Sequence, residues 1–176
     1  MAENILLAGL NKALEMEEKG YQFYQEVSAR SKNKITQKTF ALLANNEAVH
    51  IKDIKNFYNT LKERGEFPDF QLAGTRDKGH QDDSLFLQNT SEWKDKIKPT
   101  DDDKEACKVA MELENSAFKY YENMLKEAKD ENLIKLLKFL LGEEDKHYQW
   151  IANLNTYLND SANWYMYEEG SFPQGG

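Results

Sequence analysis

Apolar residues recur every three or four positions along four long stretches of the chain, which is the spacing of an α-helix with one buried face. We call the apolar side of each stretch its core-facing stripe. In the second stretch this stripe is interrupted by two polar residues, Glu47 and His50. Its other members are Phe40, Leu43, Ile54, Phe57 and Leu61. The pattern predicts long amphipathic helices that bring ionisable side chains into a core.

The four stretches predict two pairs of helices. Their expected bounds are about residues 3–29, 34–64, 100–129 and 131–159. Within each pair the connection is short, so the two helices should be antiparallel neighbours. Thr100, which precedes three Asp residues, is the predicted N-cap of the third helix.

Residues 65–99 join the two pairs and lack the helical period, with Pro68 and several Gly residues among charged ones. We interpret this segment as a crossover connection. Residues 161–176 lack the period as well and are interpreted as an aromatic C-terminal tail. The sequence therefore predicts an all-α fold, an antiparallel four-helix bundle formed by residues 1–160.

Composition and charge limit the function. The net charge of -8 argues against a nucleic-acid partner, which requires clustered Lys and Arg. No stretch reaches the roughly 20 apolar residues of a membrane span, so no membrane partner is expected. The single cysteine, Cys107, excludes an internal disulfide and any metal site built from several thiolates. A cytoplasmic location is the expectation that follows.

The two helix pairs repeat each other with a constant shift of 97 residues and without a gap. The shift relates Glu17 to Glu114, Tyr24 to Tyr121, Glu47 to Glu144 and His50 to His147. Apolar stripe residues follow the same shift, for example Ile54 and Ile151. We interpret the chain as a duplicated helical hairpin whose halves pack about a pseudo-twofold axis.

Six ionisable residues lie on otherwise apolar stripes, at the same level of all four helices. They are Glu17, Glu47, His50, Glu114, Glu144 and His147. Burying an unpaired carboxylate costs several kcal/mol, so four carboxylates together require positive charge. Two divalent cations would balance them. Oxygen and nitrogen ligands favour iron or manganese, although zinc could occupy the same site.

At these residues the chain resembles the ferritin-like di-iron carboxylate superfamily, in which two helices each supply one Glu and the other two each supply Glu-x-x-His. Within it the chain is most similar to the rubrerythrin group, over residues 5–158. The resemblance implies that Glu47 and Glu144 bridge two irons. It also implies that Glu17 and Glu114 are terminal ligands.

Two features depart from rubrerythrin. The four-cysteine rubredoxin module is absent from these 176 residues, which implies an external electron donor such as a rubredoxin or a reductase. Rubrerythrin also carries an extra Glu, which serves a redox-linked ligand switch, one turn after the third-helix ligand; that position is Ala117 here. What remains is the symmetric six-ligand set that bacterioferritin also uses.

The resemblance thus implies a non-haem di-iron or manganese oxidoreductase that reacts with H2O2 or O2, and we expect a homodimer. Ferritin-type or bacterioferritin-type iron oxidation and storage is one alternative, and a non-redox structural or sensing metal module is another. Tyr24 and Tyr121 are candidates for assisting the reaction by hydrogen bonding to ligand carboxylates or passing an electron, or else they fill the core. Gly20 and Ala117 either leave room for the oxidant or allow the helices to approach closely.

Overall fold

The computed structural model describes residues 2–70 and 101–160, with side chains from residue 4 onward. It contains four α-helices: α1 (Ala2–Arg30), α2 (Lys34–Arg64), α3 (Asp101–Glu127) and α4 (Glu131–Asn159). The predicted all-α fold is confirmed, with helix bounds within about two residues of expectation. The predicted cap at Thr100, most of the crossover and the C-terminal tail lie outside the described residues.

Each helix packs against two antiparallel neighbours. The hairpins α1–α2 and α3–α4 are joined by contacts of α1 with α3 and of α2 with α4. The Tyr120 hydroxyl, late in α3, donates to the Gly9 carbonyl, early in α1, at 2.9 Å. Consequently α2 and α3 run in the same direction. The end of α2 and the start of α3 lie at opposite ends of the bundle, as the predicted crossover requires.

The apolar core consists of two clusters, one on each side of the polar level. Tyr24, Phe40 and Ile151 belong to the first cluster, and Ile54 and Leu137 belong to the second. All of the predicted stripe residues of α2 and α4 are buried, including the polar ones. Two apolar layers therefore enclose the ionisable residues. In the part of the chain described here, no helix is long and apolar enough to cross a membrane.

The repeat extends to the turns of the two hairpins. Asn33 caps α2 and Asp130 caps α4, and these positions are related by the same 97-residue shift. Each side-chain oxygen accepts from two backbone N–H groups in the following turn, at 2.8–3.2 Å. These groups would otherwise lack a partner at the helix start. Each half of the chain thus fixes the start of its second helix in the same way.

We predict that Asn33→Ala lowers the free energy of unfolding by about 1 to 2 kcal/mol. Asn33 is buried, so the two N–H groups that lose their acceptor have little access to water. Urea denaturation followed by circular dichroism measures the change. Asn33→Asp should retain most of the stability, and Lys32→Ala, at an exposed neighbouring position, serves as the control. Equal stability of Asn33→Ala and wild type would contradict the role of the cap.

Candidate metal centre

The structure brings the six predicted ligands together in the middle of the bundle. Their exposed fractions are only 0–3%. They are Glu17 from α1, Glu47 and His50 from α2, Glu114 from α3, and Glu144 and His147 from α4. Charged side chains are seldom buried this deeply unless they are paired or hold an ion. The burial therefore sets a strict requirement for charge balance.

The ligand atoms form two overlapping sets, in each of which one ligand atom per residue lies within 4.8 Å of the others. One set is Glu17, Glu47, His50 and Glu144, and the other is Glu47, Glu114, Glu144 and His147. The 97-residue shift converts one set into the other. Glu47 and Glu144 belong to both sets, which is the arrangement that bridging carboxylates require.

Both imidazoles turn Nδ1 toward the carboxylates. Nδ1 of His50 lies 3.2 Å from Oε2 of Glu17, and Nδ1 of His147 lies 3.1 Å from Oε1 of Glu47. The two rings stack with their centroids 5.4 Å apart. Despite this short distance from Glu47, Nδ1 of His147 makes no contact with hydrogen-bond geometry to any described residue, and neither does the buried Oε1 of Glu144. A buried nitrogen and a buried oxygen that lack hydrogen bonds, and that lie among carboxylates, are suited to bind a cation.

Both imidazoles have polar neighbours that the sequence pattern did not predict. Nε2 of His147 lies 3.2 Å from Nδ2 of Asn46. A flip of this amide, which exchanges Nδ2 and Oδ1, would let Asn46 accept the Nε2 proton and leave Nδ1 for a metal. Glu143, which the repeat relates to Asn46, lies near both His50 and His147. The signal in the sequence was that each of these residues directly precedes the Glu of Glu-x-x-His.

Tyr24 and Tyr121 connect the two hairpins. The Tyr24 hydroxyl donates to Glu114, and the Tyr121 hydroxyl donates to Glu17. Burial raises the pKa of both phenols well above the usual value, and nearby carboxylate charges raise it further, so both remain protonated donors. Each carboxylate predicted to be terminal is thereby oriented by a residue from the opposite hairpin.

A cavity of about 240 Å³ opens between α1 and α3 and reaches the carboxylates. Gly20 and Ala117, which the repeat relates, both line it. A Cβ at Gly20 would lie 3.7 Å from the Tyr24 ring and 3.8 Å from the Glu47 carboxyl carbon, both ordinary contacts. Close helix packing therefore does not require glycine here. Gly20 instead leaves space beside a candidate ligand.

In the metal-free centre, protons neutralise the α1–α2 side. Burial would raise the pKa of Glu17, but a hydrogen bond from Glu47 and the charge of His50 lower it to about 2. Burial and the charge of Glu17 raise the pKa of Glu47 well above its usual value. Burial would lower the pKa of His50, but Glu17 raises it. These shifts favour a protonated His50, an ionised Glu17 and a neutral Glu47.

The α3–α4 side follows the same scheme. Burial would lower the pKa of His147, but Glu114 and Glu47 raise it to about 9. Burial would raise the pKa of Glu114, but His147 lowers it. Burial and the charges of Glu17 and Glu114 raise the pKa of Glu144 well above its usual value. These shifts favour an imidazolium at His147, an ionised Glu114 and a proton on Glu144.

We predict that binding of two divalent ions near pH 7 releases several protons, because the pKa values of both imidazoles and of Glu47 and Glu144 are raised in the metal-free centre. Because protons compete with the metal, affinity should rise with pH. Release should fall by one proton as pH rises through about 9, where metal-free His147 loses its own proton. Titration calorimetry with Mn²⁺ in buffers of different ionisation enthalpy counts the protons. Release near zero at pH 7 would contradict this description.

We predict that His147→Ala removes mainly one metal ion, whereas Glu144→Gln weakens both. His147 belongs to one ligand set, but Glu144 belongs to both. His50→Ala is the matched variant for the other set. Metal analysis gives the stoichiometry, and anomalous diffraction at the metal edge locates the remaining ion. Equal loss at both positions in His147→Ala would show that the centre does not divide by repeat.

A family model described as Rubrerythrin matches residues 9–155. Searches of curated proteins and of solved structures gave no match. The matched region reaches into all four helices and contains all six residues of the candidate centre. This confirms the resemblance inferred from the sequence: the chain belongs to the rubrerythrin family, whose domains are ferritin-like and di-iron.

Proposed function

We propose that this protein is a non-haem di-iron oxidoreductase that transfers electrons from an external donor to H2O2 or O2. The observation that carries the proposal is the pair of overlapping, buried ligand sets that share Glu47 and Glu144. Iron held there would supply reversible one-electron chemistry. Manganese suits the same oxygen and nitrogen ligands, so the metal used in the cell is part of what the experiments must identify.

Charge balance supports two divalent ions in this centre. Four carboxylates carry four negative charges, and two divalent ions cancel them when both imidazoles are neutral. Without metal, the raised pKa values of both imidazoles and of Glu47 and Glu144 favour protons in the same place. Exchange of these protons for metal therefore limits the net charge left in a buried place, which reduces the usual cost of burying ions.

The surroundings favour a small substrate. Apolar clusters enclose the centre on two sides, and the cavity at Gly20 and Ala117 provides access from a third. Its volume of about 240 Å³ leaves ample room for H2O2 or O2. Reduction of one H2O2 to two water molecules then consumes two electrons and two protons.

The tyrosines are proposed to hold the terminal carboxylates. Each phenol donates to a carboxylate of the other hairpin and remains protonated because of burial. Glu17 and Glu114 thus keep a fixed orientation toward the imidazole of their own set. Preorganised ligands of this kind reduce the rearrangement needed when the charge at the centre changes.

Electrons are proposed to come from a separate rubredoxin or reductase. Cys107 is unsuited to redox chemistry, because burial and the charge of Asp103 raise the pKa of its thiol to about 12. No other cysteine is present in these 176 residues. We further propose that the protein acts as a cytoplasmic homodimer.

Ferrous iron oxidation is the second candidate. Ala117 favours it. Rubrerythrin carries its extra Glu at this position, whereas in this chain Ala117 lines an open cavity. Ferritin-type storage would additionally require a large cage. Native mass spectrometry distinguishes the two assemblies, since a mass near that of 24 subunits would favour storage over a dimeric oxidoreductase.

The direct test is to load the protein anaerobically with Fe²⁺, quantify the metal and mix it with H2O2 and O2 separately in a stopped-flow instrument. We expect near-ultraviolet absorption to rise with at least one oxidant, and the faster oxidant identifies the reaction. Fully loaded protein that shows no change with either oxidant would overturn the redox proposal. It would favour a non-redox metal module instead.

We predict that Gly20→Ala slows the reaction with H2O2 several-fold without reducing iron content. The added methyl group enters the cavity beside Glu47. Gly142→Ala is the matched control, because a Cβ there meets no atom within 4 Å. Each change should raise the free energy of unfolding by about 0.5 to 1 kcal/mol, since alanine favours helix. Equal oxidation rates in both variants would argue against oxidant access through this cavity.

A further inference from the structure

The 97-residue repeat fails on the outer side of the centre. Glu18 of α1 and Lys55 of α2 form an ion pair, with 2.9 Å between Oε1 and Nζ, that links the two helices. The equivalent residues of α3 and α4 are Asn115 and Ala152, which cannot form an ion pair. An ion pair therefore links α1 to α2 beside their ligand set, whereas the equivalent positions of α3 and α4 hold no ion pair.

The unbridged hairpin has an opening at this place. A cavity of about 200 Å³ lies between α3 and α4. Its lining consists of Glu114, Asn115, Phe118, Glu144, Asp145 and Tyr148. Glu114, Glu144 and Asp145 line it without a basic residue from the described part of the chain, so it offers oxygen ligands to an incoming cation. It leads directly to the carboxylates of the second ligand set.

Asp145 marks the outer end of this opening. It is exposed, and its carboxylate accepts a hydrogen bond from the neutral amide of Gln149 at 2.8 Å. In the other hairpin, the positions equivalent to Asp145 and Tyr148 hold Ala48 and Ile51. Asp145 and Tyr148, at the outer end of the opening, thus have apolar counterparts in the other half.

The two imidazoles are also held differently at Nδ1. Nδ1 of His50 hydrogen-bonds with Oε2 of Glu17 at 3.2 Å. Nδ1 of His147 is buried without a hydrogen bond to the residues that the structure describes. The ligand nitrogen of His147 is therefore less firmly held than that of His50, and this observation is independent of the opening.

We propose that the two metal positions differ in exchange. The ion held by Glu114 and His147 enters and leaves through the opening between α3 and α4, and the ion held by Glu17 and His50 exchanges more slowly. The inference rests on the proposed metal centre and adds a route and an order of loading to it. Asp145 is the first carboxylate that an incoming divalent cation meets.

Exchange of the ion pair between the hairpins tests this. Asn115→Glu combined with Ala152→Lys builds on α3 and α4 the pair that Glu18 and Lys55 form on α1 and α2. Glu18→Asn combined with Lys55→Ala removes the original pair. Protein loaded with Co²⁺ is mixed with excess chelator, and the visible absorption of bound Co²⁺ follows metal release. Anomalous diffraction from crystals at partial release shows which position empties first.

In wild type we expect two phases of release, with the Glu114 and His147 position emptying first. Building the ion pair on α3 and α4 should slow the fast phase several-fold, and removing it from α1 and α2 should speed the slow phase. Asp145→Asn should slow Co²⁺ loading by roughly two- to fivefold through weaker electrostatic attraction. Glu122→Gln, which changes an exposed charge away from the opening, should leave loading unchanged.

Earlier emptying of the Glu17 and His50 position would overturn the inference. Equal release rates that neither double variant alters would overturn it as well. If no Co²⁺ binds at either position, the proposed function itself fails. That result is distinct from binding of two ions with identical exchange.

Discussion

Four carboxylates that converge in a buried layer impose the constraint on which the rest of the structure depends. Such a layer is stable only if equal positive charge accompanies it, whether from protons or from metal ions. Without metal, the raised pKa values of His50, His147, Glu47 and Glu144 favour the protons that supply this charge. The apolar clusters on both sides make the requirement strict, because they keep water from screening the charges.

The fold and the composition of the centre were largely predictable from the sequence. A 3.6-residue period fixes which face of a helix is buried, and the repeat places the polar interruptions at one level. Neither property specifies which helix lies opposite, so the bonds from Tyr24 to Glu114 and from Tyr121 to Glu17 required the structure. Asn46 and Glu143 were missed because they lie beside the core-facing stripe and not on it. They approach the imidazoles from this neighbouring position.

Symmetry in this chain decreases with distance from the carboxylates. The six candidate ligands and both tyrosines obey the repeat, as do the helix caps at Asn33 and Asp130. The outer residues around the centre do not, as the ion pair of Glu18 with Lys55 demonstrates. Inner residues are held by mutual charge balance, in which a change in one half must be matched in the other. Residues outside this balance are free to give the halves separate tasks.

The crossed tyrosine bonds have a consequence for the origin of the fold. The repeat exchanges the bond from Tyr24 to Glu114 with the bond from Tyr121 to Glu17, so at these bonds the two halves contact each other as identical subunits would about a twofold axis. A single hairpin could complete the same centre by pairing with its own copy. The present chain then corresponds to a fused dimer, and fusion is what permitted the two sides to acquire different surfaces.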